Sequence, residues 1–174
     1  MDNVSVFFLI FGLSNHSPLL DQLMIFGARY LILLTFLIIF ILIFKGTTAE
    51  KKAFLLTILA IPIAIIIIKI IHLFYFEPRP FVTYQLIPLF TYDPDASFPS
   101  RHASIMAVVA LSYIYFKSKW SVLFLILLIW LGVSRVYVGV HYPIDILGGV
   151  IVGIISLIIA KIIIRLIKLR FSTS

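Results

Sequence analysis

Cysteine is absent from the 174 residues, which excludes disulfides and thiolate metal sites. Charge is scarce: Asp, Glu, Lys and Arg make up 12% of the chain, about half the usual share in a soluble domain. Acidic residues are scarcest, seven against fourteen Lys and Arg. What is present is apolar, with 63% hydrophobic residues. A single small domain leaves much of its surface wet and could not bury that much apolar area. The composition therefore predicts an integral membrane protein, an all-α helical bundle forming one domain over residues 1–174. The formal net charge of +7 is topology information first and affinity for anionic membrane lipid second, so no nucleic-acid partner is expected.

Asn3 to Leu13 is apolar, but it is shorter than the roughly 20 residues a helix needs to cross a bilayer. It reads as an N-terminal interfacial or re-entrant helix, with a frayed apolar tail as the alternative. Ser14 to Pro18 is a turn. Five spans follow: Leu20 to Phe44, Ala53 to Phe76, Arg101 to Phe116, Trp120 to Val138, and Pro143 to Ile167. The polar stretch Lys45 to Lys52 separates the first two, and Pro62 predicts a kink in the second. Lys69 and His72 interrupt the outer half of that span, where charge is costly unless it faces a polar cavity. Glu77 to Ser100 is the one long non-greasy stretch, and its five prolines forbid a continuous helix. Gly148, Gly149 and Gly153 give the last span a small-residue face for close packing.

Five spans put Lys45, Lys51, Lys52, Lys117, Lys119, Arg165, Lys168 and Arg170 on one side, the cytoplasm by the positive-inside rule. The C-terminus is then cytoplasmic. Arg79, Arg101, Arg135, His102, His141 and Asp145 fall on the opposite, extracytoplasmic side of a plasma-membrane protein. Arginine grips oxyanions with a rigid fork of donors. Histidine can attack phosphorus or move a proton near neutral pH, and an aspartate can hold it in one tautomer. Singly, each residue is more simply a headgroup anchor or a satisfied polar group. Together at one depth they point to a phosphate-handling site. Asp93 and Asp95 are alternatives for Mg²⁺, but Asp-Pro-Asp in a loop is better read as turn chemistry, and no metal or cofactor is expected.

The trio Arg79-Pro80, Pro99-Ser100 with His102, and Ser134-Arg135 with His141 and Asp145 resembles the three-part signature of the type 2 phosphatidic acid phosphatase superfamily. The longer match, from EPRPFV through DPDASFPS to YVGVHYPIDILG, is similar to its undecaprenyl-diphosphate phosphatase branch, as is the N-terminal GLSNHSPLLDQLM. Two positions depart from the family pattern. His72 stands where a lysine is usual, and Lys69, a turn earlier, is an alternative clamp. Arg101 stands where Gly or Asp is usual, and either favours a diphosphate or points to headgroups.

The resemblance implies His141 as nucleophile, Asp145 as its orienting partner and His102 as the acid that protonates the leaving lipid oxygen and then helps activate water. Arg79, Arg135 and either Lys69 or His72 would hold the phosphoryl oxygens. Ser100, the expected N-cap of the third span, would add backbone donors at a helix N-terminus. Pro80, Ser134 and Arg101 complete the expected substrate-binding set. The implied activity is hydrolysis of undecaprenyl diphosphate to undecaprenyl phosphate, the carrier lipid of cell-wall synthesis. Alternatives are a phosphatidic acid or phosphatidylglycerol phosphate phosphatase, a lipid phosphotransferase, or a non-catalytic lipid-phosphate binder or transporter. The partner is a lipid phosphate within the membrane, and no oligomeric state is assigned.

Overall fold

In the computed structural model residues 2–172 are described, with side chains to residue 167, and every described element is helical. Lys168 and Arg170, counted above with the cytoplasmic charges, lie outside the residues whose side chains are described. The elements are α1 (Asn3–Phe11), α2 (Pro18–Arg29), α3 (Leu31–Lys45), α4 (Thr48–Phe74), α5 (Pro80–Thr83), α6 (Arg101–Tyr115), α7 (Ser121–Tyr137) and α8 (Pro143–Ser172).

The expected first span is two helices, not one. α2 and α3 meet at Tyr30 with a bend of 58°. The break has a visible cause in tertiary packing. Gly27 presses α2 onto α7 so closely that an added Cβ would lie 2.8 Å from Trp130 Nε1. The neighbouring Ala28 carbonyl accepts from Arg135 Nη1 at 3.1 Å. A carbonyl at a helix end needs such a partner, and a guanidinium on another helix supplies it.

By length and apolarity α4 and α8 can each cross a membrane, and the bent pair α2–α3 makes a third candidate span. α6 and α7 have 15 and 17 residues, below the roughly 20 of a full crossing. Both are shortened because the chain at one end of the bundle turns aside into loops. α4 begins earlier than expected, absorbing Thr48 to Lys52, because Thr47 and Glu50 form a capping box. It runs on helically through Pro62.

α6 is the axis of the bundle. Ala103, Ser104, Met106, Ala107, Val108, Val109 and Ala110 are all buried, packed among α4, α7 and α8. Small residues permit the approach of α8: a Cβ on Gly153 would stand 2.7 Å from Ala107 Cβ.

At one end of the bundle Glu50 is 2% exposed and ties two elements together. It accepts from the Thr47 amide and hydroxyl and from Ser118 Oγ in the α6–α7 turn. Glu50→Ala removes the capping box and leaves the buried Ser118 hydroxyl without its acceptor. The expected cost is about 1–3 kcal/mol, read as a lowered thermal midpoint in detergent. An unchanged midpoint would show that this lock contributes nothing.

At the other end the long loop is stitched to its neighbours by backbone bonds. The Ser97 amide donates to Glu77 O at 2.8 Å, the Leu89 amide to Val138 O at 3.2 Å, and the Ser100 amide to Asp145 O at 3.0 Å. These bonds gather the ends of α4, α6 and α7 and the start of α8 around one place. The short α1 folds over the same end, its buried Phe7 against Tyr142 and its Asn3 side chain accepting from the Ile144 amide.

Candidate active site

His141 lies in the turn between α7 and α8, only 2% exposed. Its Nδ1 is 3.2 Å from Asp145 Oδ2. That carboxylate oxygen also accepts from the Tyr142 amide at 2.8 Å and from Ser97 Oγ. A spacing of four across the start of α8 makes this reach possible, because Pro143 opens the helix at its first position. On the far side of the ring, Nε2 is 3.1 Å from Arg79 Nη1 and 3.3 Å from Ser100 Oγ. Arginine can only donate, so Nε2 is the accepting nitrogen and the ring proton sits on Nδ1, facing Asp145. The ring is thereby held with one lone pair turned toward a guanidinium.

The electrostatics agree with a neutral ring. Burial, then the positive charges of Arg135 and Arg79, hold the His141 imidazole well below its ordinary pKa. The sign of the stability effect follows. As pH falls below about 6.5 the unfolded chain takes up a proton at this position while the folded chain does not, so the folded state loses stability. The thermal midpoint is expected to drop between neutral pH and pH about 5, and His141→Asn to flatten that slope. Identical slopes for the two proteins would refute the depressed pKa.

Arg79 is 2% exposed at the N-terminus of the one-turn helix α5, where Pro80 follows at the first position, buried. Its Nε and Nη2 reach Asp95 Oδ1 at 2.9 and 2.7 Å. Nη1 donates to Val140 O at 2.7 Å, and Nη2 to Ala96 O at 3.4 Å. Arg135, 1% exposed, donates from Nη1; its Nε and Nη2 have no hydrogen-bond partner among the described residues. Both guanidiniums lie against the ring of Tyr92, at 4.4 and 4.6 Å from its centroid. The ring gives each of them a cation–π contact. His102, in the first turn of α6, is near enough to His141 to interact with it electrostatically, so it shares the neighbourhood. Ser100 caps α6 through its hydroxyl, accepting from the Ala103 amide at 3.4 Å.

Three expected residues fall elsewhere. Lys69 is exposed, and no hydrogen bond or ion pair joins it to the cluster. His72 is half-buried instead, its Nε2 buried without a partner, within the field of Arg101, Asp95 and Arg79. Ser134 is fully buried, but it serves the α2–α7 contact, its hydroxyl against Met24 Sδ at 3.4 Å. Arg101 is at the rim, about half exposed, and pairs with Asp95 Oδ2 at 2.9 Å.

The turn reading of Asp95 is corrected by that geometry. Its two oxygens hold two arginines, and Asp93 beside it is exposed. Ser97 and Tyr92 join the site as well. A signal existed for Asp95, since a cluster of three arginines needs a counter-charge and acidic residues are rare here. None existed for Ser97 or Tyr92, whose contacts depend on the path of the loop.

Buried polar atoms are nearly always paired, and exceptions mark function or strain. Here Arg135 Nε and Nη2, His72 Nε2 and Asp145 Oδ1 are all buried and unpartnered. Two free guanidinium nitrogens, a neutral imidazole with its lone pair presented, and a second histidine nearby suit the capture and transfer of a phosphoryl group.

Comparison with known proteins agrees with that chemistry. The pattern of the PAP2 superfamily matches residues 51–168. The chain is similar to undecaprenyl-diphosphatase BcrC of Bacillus subtilis, 36% identical over 155 residues, which are 88% of this chain and 79% of the relative. A putative undecaprenyl-diphosphatase, YbjG of Escherichia coli, is 32% identical over 92% of this chain and 82% of its own length. The crystal structure of Aquifex aeolicus LpxE superimposes with a TM-score of 0.72 at 26% identity, covering 91% of this chain and 94% of that one.

Proposed function

This chain belongs to the PAP2 superfamily, and from that membership we propose that it is a membrane lipid phosphatase that hydrolyses undecaprenyl diphosphate to undecaprenyl phosphate and inorganic phosphate. The observation that carries the reading is the His141 ring, held through Nδ1 by Asp145 with Nε2 turned to Arg79. The names of two relatives, each aligned over most of its length, support the choice of a diphosphate lipid over a monophosphate.

In the proposed reaction the Nε2 lone pair attacks the terminal phosphorus, and the bond to the bridging oxygen breaks. His102, protonated once the anionic diphosphate is bound beside it, gives that proton to the departing lipid phosphate. The phosphohistidine so formed is attacked by water, whose proton passes to His102, and the P–N bond breaks to release phosphate. Arg79, Arg135 and the amides at the start of α6 meet the charge on the equatorial oxygens. His72, not Lys69, takes the remaining clamp position. Fixed cations do this work without a metal ion.

The site faces the extracytoplasmic side in this reading. Lys45, Lys51, Lys52, Lys117 and Lys119 cluster at the bundle end where Glu50 meets Ser118, opposite the site, and the positive-inside rule puts that end in the cytoplasm. The lipid headgroup then reaches the site at the outer interface.

The test is a substrate panel in liposomes, with EDTA present. Undecaprenyl diphosphate is expected to release phosphate with higher kcat/KM than phosphatidic acid or phosphatidylglycerol phosphate. A preference for either monophosphate would replace the diphosphate reading. Binding without turnover of any lipid phosphate would replace the enzyme reading altogether.

A further inference from the structure

Arg79 makes five contacts: two with Asp95 Oδ1 and one each with Val140 O, Ala96 O and His141 Nε2. A guanidinium has five N–H donors. This arginine, at the centre of the site, therefore has none left for a substrate. Arg135 differs: its Nε and Nη2, which carry three N–H donors, are unpartnered among the described residues. For Arg79 to grip a phosphate, something must leave. The Val140 and Ala96 carbonyls are backbone, 0% and 8% exposed, and cannot turn away without moving the loop. The Asp95 side chain is 39% exposed and can rotate into water. Its other oxygen holds Arg101, which is 53% exposed at the rim.

We infer that Asp95 is a specificity-determining residue whose carboxylate holds the seat a diphosphate takes. The reacting phosphate replaces Oδ1 on Arg79, and the second phosphate replaces Oδ2 on Arg101. The inference rests on the diphosphatase reading above. A carboxylate and a phosphate group are both oxyanions whose oxygens accept from a guanidinium fork, and two anions do not share one fork without repulsion. The spacing is already set: one anion bridges a buried arginine beside the nucleophile and an exposed arginine further out. A diphosphate has the same bridging character with more charge. A monophosphate reaches only the inner arginine.

Two variants test the exchange, using purified protein in detergent with farnesyl diphosphate and farnesyl monophosphate, a pair that differs only in the second phosphate. Asp95→Asn is expected to lower the competitive inhibition constant of inorganic phosphate about tenfold, because the fork no longer holds a competing charge. Asp93→Asn removes the same charge from the same exposed loop, where no ion pair is made among the described residues, and is expected to change the constant by less than about twofold. Arg101→Gln is expected to lower the ratio of diphosphate to monophosphate kcat/KM about tenfold.

A weaker phosphate inhibition in Asp95→Asn would make Asp95 a support for Arg79 and overturn the inference. An equal effect of Asp93→Asn would reduce it to a general field and overturn it as well. So would an unchanged substrate ratio in Arg101→Gln. Should Asp95→Asn not fold, the Arg101→Gln ratio still decides. Failure of the underlying reading looks different: the unsubstituted protein would turn over the monophosphate and not the diphosphate.

Discussion

His141→Ala is expected to reduce phosphate release to background, a loss of about 10⁴-fold or more. The size follows from what is missing in the variant. Every route through a covalent intermediate needs a nucleophile within bonding distance of phosphorus, with its lone pair unprotonated. His141 Nε2 is so prepared: its proton is placed on Nδ1, and nearby cations oppose a second one. The two serine hydroxyls in the cluster are committed, Ser97 to Asp145 and Ser100 to the cap of α6. The measurement is a rapid quench with labelled diphosphate lipid. Unsubstituted protein is expected to carry acid-labile, base-stable phosphate, and His141→Ala none. Near-normal turnover in that variant would mean that water attacks phosphorus directly.

Arg135→Lys is expected to lower kcat about 10²- to 10³-fold although the charge is kept. Arg135 is buried with Nη1 on the Ala28 carbonyl, its face on Tyr92, and Nε and Nη2 free. That arrangement presents two parallel donors, which a lysine ammonium cannot copy. The same side chain caps the break between α2 and α3, so Arg135→Ala should also lower the thermal midpoint. The lysine variant separates the two roles, and kcat with thermal midpoint should be read together. If Arg135→Lys keeps most of the activity, charge is sufficient and the fork is not what the site uses.

Some of this is open to view in the residues alone, including a choice that the motif leaves open. Ala60, Ala64 and Ile68 form a buried stripe on α4 at intervals of four, and His72 continues it. Lys69 lies one residue beyond the stripe, about 100° around the helix, and is exposed. Helical periodicity could therefore have chosen between the two clamp candidates. By contrast, nothing local predicted that a helix begun at Pro18 would end at Arg29. The residues around Tyr30 are good span material, and the bend arises where Gly27 meets α7 and Arg135 takes the Ala28 carbonyl.

The amino-acid sequence by itself determined the all-helical membrane character and the residues of the His141–Asp145 pair. Both depend on short-range facts: how apolar a run of residues is, and how far a side chain reaches across one helical turn. Only the tertiary structure decided that Asp95 sits in the Arg79 fork, that Ser97 supports Asp145, and that Ser134 packs against α2. Those pairings join residues far apart in the chain, or depend on how a proline-rich loop is stitched to its neighbours. Their energies are set by where the backbone passes in space, which no local period encodes.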